Sequence, residues 1–152
     1  KYFADTGKLQ RLRKGLYALA GEYDKFEMAK KIISPSYISL ETALLKHGII
    51  FQFTSVITSF AQYSRSITIN GQVFRYHKMK DDILLNPLGI LNEKIYTIAS
   101  PERAVCDYTY LYGASSYFDN LRGIDLNLIR KIAKIYGKKS VEKNIENIIK
   151  NL

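Results

Sequence analysis

A chain of 152 residues with 47% hydrophobic and 24% charged side chains has the length and composition of one globular domain, or of a small module attached to a larger one, and speaks against disorder, a fibrous repeat and two full domains. Its formal net charge is +9, and the excess lies at the ends: residues 1–20 carry five basic and one acidic side chain, residues 125–152 seven and three, and the middle eleven and ten. A surplus so placed suits a polyanion such as nucleic acid through counterion release, and it suits a solvated soluble surface equally well.

In chain order, Leu9 to Arg13 and Leu16 to Leu19 read as two short extended runs joined across Lys14-Gly15. Gly15 supplies the positive φ of such a connection, which carries Arg11, Arg13 and Lys14 outward. Asp24 opens a helix with Glu27 three residues on, a capping-box pattern, and Ala29, Ile32 and Ile33 form its apolar side before Pro35 stops it. A second helix starts near Ser39, buries Leu40, Ala43 and Leu44, and ends at Gly48.

From Ile49 the pattern turns to β. "IIFQFTSVITSF" is apolar and β-branched without clean alternation, as expected of a strand covered on both faces. In "RSITINGQVFRYHKM", Asn70-Gly71 fits a two-residue type I′ turn. That register sets Ile67 opposite Phe74, with Ile69 and Tyr76 on the same face and Ser66, Thr68 and Arg75 on the other. "KIYTIA", residues 94–99, reads as a further strand.

Ser100-Pro101-Glu102 is a strong helix start, with a capping hydroxyl, a proline at the first helical position and an acid near the positive end. This helix is predicted to run to about Tyr112, with Ala104, Tyr108, Leu111 and Tyr112 as its apolar stripe. Two helices close the chain, one capped by Asp125 and buried through Ile129, Ile132, Ala133 and Tyr136, the other capped by Ser140 and buried through Val141, Ile145, Ile148, Ile149 and Leu152. Segregated strands and helices predict an α+β fold: a small mixed or antiparallel sheet, flanking helices, a C-terminal helical segment and a leading hairpin.

No apolar run reaches the roughly 18–20 residues of a membrane span, no signal peptide opens the chain, and the single Cys106 cannot pair within it. The expectation is a cytoplasmic protein without membrane contact. Cys106 with His47 or His77 is the nucleophile and base on offer, set against a buried structural cysteine, which weighs more. Asp81-Asp82 are the adjacent acids a metal would want, but neighbouring side chains on an exposed segment diverge. The nine glycines build no phosphate-cradling loop, and no Asp or Glu is followed two residues later by Lys, as a common nuclease signature requires. The residues therefore point away from an enzyme and call for no cofactor and no metal.

Three segments, "GKLQRLRKGLYAL", "ISLETALLKHGII" and "IASPERAVCDYTYLYG", stand in this order between residue 7 and about residue 113. Together they resemble the AbiEi-type antitoxin family of type IV toxin–antitoxin (abortive-infection) systems. The specific parts are the basic hairpin, Ser39-x-x-x-Ala43-Leu44-x-x-His47-Gly48, and Pro101-Glu102-Arg103-Ala104-x-Cys106-Asp107. The resemblance implies a bacterial transcriptional autorepressor that binds promoter DNA through an N-terminal winged helix. It also implies an α+β domain that counteracts a nucleotidyltransferase-like toxin without a stable complex. Residues 1–20 then correspond to the end of the recognition helix and the wing, most of the winged helix being missing ahead of them, and residues 21–152 to the effector domain.

By that mapping Lys8, Arg11, Arg13 and Lys14 contact phosphates or a minor groove. The plain alternative is a solvated edge hairpin. Glu102, Arg103 and Asp107 are either surface charges or a buried pair locking the helix against the strands, and His47 beside Gly48 sits where it meets helix-end carbonyls. A non-catalytic interaction domain of a solitary regulator is the second functional reading, and a nuclease-like enzyme the third.

Overall fold

The computed structural model describes residues 23–152 and, ahead of them, the backbone of residues 9–13 and 16–19. Strands β1 (Leu9–Arg13) and β2 (Leu16–Leu19) pair antiparallel, Leu9 with Leu19, Arg11 with Tyr17 and Arg13 with Leu16, with an irregularity between Arg11 and Arg13. Of the four basic residues expected to touch DNA, Lys8 and Lys14 lie outside the described residues, as do the side chains of Arg11 and Arg13.

The body is built on a six-stranded mixed sheet of β3 (Ser36–Ile38), β4 (Ile57–Ala61), β5 (Arg65–Ile69), β6 (Gln72–Lys78), β7 (Ile90–Asn92) and β8 (Thr97–Ala99). Their order is β5-β6-β4-β3-β8-β7, with β4–β6 and β3–β8 parallel and the other pairs antiparallel. The β5–β6 hairpin has the expected register, Ile67 opposite Phe74 and Ser66 opposite Arg75. Asn70 and Gly71 both take positive φ, as the type I′ turn demands. Phe74 and Tyr76 are buried while Ser66, Thr68 and Arg75 face water, so alternation sorted the two faces correctly.

The long strand expected from Ile49 is corrected. Only Ile57–Ala61 is strand, buried at every residue, and residues 50–56 form a loop. The reason is hydrogen bonding: the Ile49 carbonyl accepts from the Asp119 and Asn120 amides, and the Phe51 amide donates to Asp119 Oδ2. These backbone groups are thus satisfied by another loop and have no need of a ladder. The three-residue strands β3 and β7 are too short to carry a period, so the sequence pattern does not mark them.

Helices α1 (Lys25–Ile32), α2 (Leu40–Lys46), α3 (Asp81–Leu84), α4 (Pro101–Tyr112), α5 (Leu126–Lys134) and α6 (Lys139–Lys150) complete the α+β architecture. Asp24, Ser100 and Asp125 cap α1, α4 and α5 as expected, each accepting from amides of the first turn. Ser140 does not cap α6. Gly137 (φ 65°) reverses the chain directly after Tyr136, so the helix begins at Lys139, flanked by Lys138, and Ser140 falls inside its first turn.

The stripe expected on α4 also needs correction. Ala104 is buried, but Leu111 and Tyr112 are exposed, and the buried residues run consecutively from Glu102 to Asp107. Helix α4 packs against α2, α5, α6 and β8, and from Glu102 to Asp107 no side of it is left for water. On α6, Val141 and Ile145 are buried while Leu152, beyond the helix, is exposed. Among the described residues no helix is long and apolar enough to cross a membrane.

Candidate functional site

The motif residues of the second and third segments meet inside the body. Arg103 is fully buried beside the fully buried Asp107, one helical turn on, with Nε 3.5 Å from Oδ1, close enough for an ion pair though not hydrogen-bonded. Its Nη1 donates to the carbonyls of Asn86 (3.1 Å) and Leu88 (2.7 Å), and its Nη2 to the Ile83 carbonyl (2.7 Å) and the Tyr37 hydroxyl (3.1 Å). Asp107 in turn accepts from the hydroxyls of Tyr37, Ser39 and Tyr136. One charge pair thereby joins β3, α3 and its trailing loop, α4 and the end of α5.

Such a pair is tolerable only because it is almost wholly satisfied. Burial pushes the Asp107 carboxyl up from its ordinary value, against the pull of Arg103 and of the Tyr136, Ser39 and Tyr37 hydroxyls. Burial works to lower Arg103, but its anionic and phenolic neighbours win and hold it above its usual value. The same burial, with Asp107 adding to it, keeps the Tyr37 and Tyr136 hydroxyls protonated as donors. Gly89 (φ 75°) completes the packing: a Cβ there would stand 2.6 Å from Ile132 Cδ1 and 2.9 Å from Arg103 Cβ, so only glycine lets the loop lie on the start of α4.

The other motif residues support the same region. Ser39 precedes a left-handed, fully buried Leu40 (φ 58°) and makes no cap bond, its hydroxyl being given to Asp107. His47 ends α2, but its ring reaches across to β8, with Nε2 2.8 Å from the Ala99 carbonyl, so its partner is a strand and not the helix end. Gly48 has φ 72° just past the helix. Pro101 opens α4, and the buried Glu102 accepts from the Asp125 amide at the start of α5 (3.0 Å). Of the two readings left open for Glu102, Arg103 and Asp107, the buried one is correct.

Cys106 is hydrogen-bonded to neither histidine: His47 Nε2 lies at the Ala99 carbonyl, and the His77 ring stands 6.0 Å from that of Phe60 between centres. Cys106 is buried, its Sγ pointing to the Ile129 carbonyl (3.7 Å), and burial followed by Asp107 pushes its thiol well up, away from thiolate. Asp81 and Asp82 sit exposed in the first turn of α3, where Asp81 Oδ1 accepts from Gln62. Among the described residues no three His, Cys, Asp or Glu side chains come together as a metal would require.

The surface holds a feature the sequence did not announce. A cleft of about 490 Å³ lies between the 50–56 loop, the first turn of α2, the outer end of α4 and the 115–119 segment. It is lined by Phe53, Tyr108, Tyr117, Glu41 and Asp119, among others. Phe53 (78%) and Tyr117 (74%) are the most exposed of the large apolar side chains in the described residues, and both are here. Tyr108 is fixed by Tyr112 (4.5 Å between ring centres) and Phe118 (5.7 Å). By composition Phe51 and Phe53 read as part of a strand, and nothing in the sequence singles out Tyr117. Compared with known proteins, the chain matches no family model and no curated sequence.

Proposed function

We propose that the chain is the wing and effector body of a cytoplasmic, DNA-binding antitoxin of the type IV kind, which represses its own promoter and counteracts a nucleotidyltransferase-like toxin without a stable complex. The observation that carries this reading is convergence. Ser39 from one motif segment binds Asp107 from another 68 residues away, and His47 binds the carbonyl of Ala99, just ahead of Pro101. Similarities scattered by chance along a chain have no reason to touch at two points, one of them buried. The antiparallel pairing of Leu9–Arg13 with Leu16–Leu19 supports the wing.

In this proposal Lys8, Arg11, Arg13 and Lys14 position the protein on phosphates, while sequence is read by the recognition helix that precedes a wing. The test is a mobility-shift assay of the full-length gene product on DNA from upstream of its own reading frame, over a salt series. Specific retardation is expected, and the combined Arg11→Ala, Arg13→Ala and Lys14→Ala changes should flatten the log–log salt slope by about 0.9 for each phosphate left without its cation. Equal affinity for unrelated DNA, or an unchanged slope, contradicts the proposal. Relief of a neighbouring nucleotidyltransferase-like toxin on co-expression separates an antitoxin from a solitary regulator.

A further inference from the structure

We propose that the cleft between the 50–56 loop and the outer end of α4 is a protein-docking site that receives an arginine side chain from a segment of a partner protein.

Three properties of the cleft combine. The first is unspent apolar surface: large rings standing about three-quarters exposed in one cleft are what a soluble surface normally hides. The second is rigidity. The Asp119 and Asn120 amides both donate to the Ile49 carbonyl (2.9 and 3.1 Å) and the Phe51 amide donates to Asp119 Oδ2 (2.9 Å), so the two loops that carry Phe53 and Tyr117 are stitched together. Tyr108 is held by its ring contacts on α4. A preformed wall spares a partner the cost of ordering it.

The third is charge, which selects the occupant. The ionisable acids of the cleft are Glu41 and Asp119, in a chain whose net charge is +9. Neither forms an ion pair among the described residues. After burial, Glu41 helps to raise the Tyr108 and Tyr112 hydroxyls and works against the lowering of His77, while Arg75 of β6 pulls Tyr112 and His77 the other way. Phe53 and Thr54 also wall a second cleft of about 300 Å³, whose charged members, Lys25 and Lys46, are basic. Of these two clefts the first pairs aromatic faces with carboxylates, and a neighbouring cleft of about 420 Å³ shares its Tyr117 and Asp119 but not Glu41. A guanidinium satisfies both, lying flat on a ring while its fork of donors meets a carboxylate. A nucleobase would find the rings, but its phosphate would be set against Glu41 and Asp119. The site uses no residue of the hairpin, so failure of the DNA experiment leaves it untouched.

The test is an amide-shift NMR titration of the full chain with the capped peptide Gly-Gly-Arg-Gly-Gly, alongside the same peptide carrying Gln for Arg, and a short single-stranded DNA. Saturable shifts centred on Phe53, Tyr108 and Tyr117 are expected with the arginine peptide alone. Glu41→Gln, Phe53→Ala and Tyr117→Ala, each checked for an unchanged fold by circular dichroism, should each weaken it, and Glu41→Gln with Tyr117→Ala together should do so by about tenfold or more. Equal shifts with the glutamine peptide, preferential shifts with DNA, or full binding by the variants would overturn the proposal. A dimer seen by sedimentation that Tyr117→Ala dissociates would assign the cleft to a second copy of this chain and overturn the choice of partner.

Discussion

The two halves of α4 invert the usual arrangement of a surface helix. Its first half buries Glu102, Arg103 and Asp107, and its second half leaves Leu111 and Tyr112 exposed, with Tyr108 at the boundary. The inner charges have their hydrogen bonds made by carbonyls of the α3 region and by three hydroxyls, which is how a fold uses polar groups to fix one packing arrangement. The outer rings pack together, Tyr108 on Tyr112 and Phe118, and Tyr108 forms part of the cleft wall. Polarity inside and apolarity outside therefore carry opposite lessons: the buried pair belongs to the fold, and the exposed rings belong to something that binds.

Breaking the inner half should cost most. Arg103→Met leaves the Asp107 carboxylate uncompensated in a dry interior and strips three carbonyls of their donor, and urea unfolding should register a loss of about 3–5 kcal/mol. In the outer half, Tyr117→Ala removes a ring that supports no core, and the same measurement should stay within about 0.5 kcal/mol of the parent.

A second ion pair sharpens the contrast. Arg130 Nε donates to Glu146 Oε1 at 2.8 Å between α5 and α6, on the surface. That hydrogen bond holds the Glu146 carboxyl below its ordinary value. A folded value that lies low means the contribution is present above the unfolded value and is lost as pH falls through the folded one. Glu146→Gln should accordingly shift the melting temperature least of the three, and the difference from the parent should vanish in acid. A surface pair costing as much as the buried one would erase the distinction.

Much of the fold is legible in the sequence where local rules apply. Asp24, Ser100 and Asp125 announce helix starts because capping is local chemistry, and Asn70-Gly71 sets a register because a two-residue turn admits few others. Tertiary effects are not legible. Residues 50–56 read as strand by composition and form a loop whose backbone groups find scattered partners, Asp119 for the Phe51 amide, Gln72 for the Ser55 carbonyl and Thr42 for the Val56 carbonyl, instead of a ladder. Tyr136 reads as part of a buried stripe and nothing in the sequence marks Tyr37, yet their hydroxyls complete the shell of Asp107, a role visible only once 29 and 70 residues of separation have been closed. Ser39 stands at the helix start its pattern indicates but spends its hydroxyl elsewhere, since capping can be foreseen and a partner on α4 cannot.

The most direct measurement is a double-mutant cycle in urea unfolding with Arg103→Met, Asp107→Leu and the two combined. If the pair is a unit of the fold, the combined variant loses less than the sum of the single losses by at least about 1 kcal/mol, because neither charge is then left buried alone. Strictly additive losses, or single variants as stable as the parent, would contradict the structural role assigned to the inner half of α4.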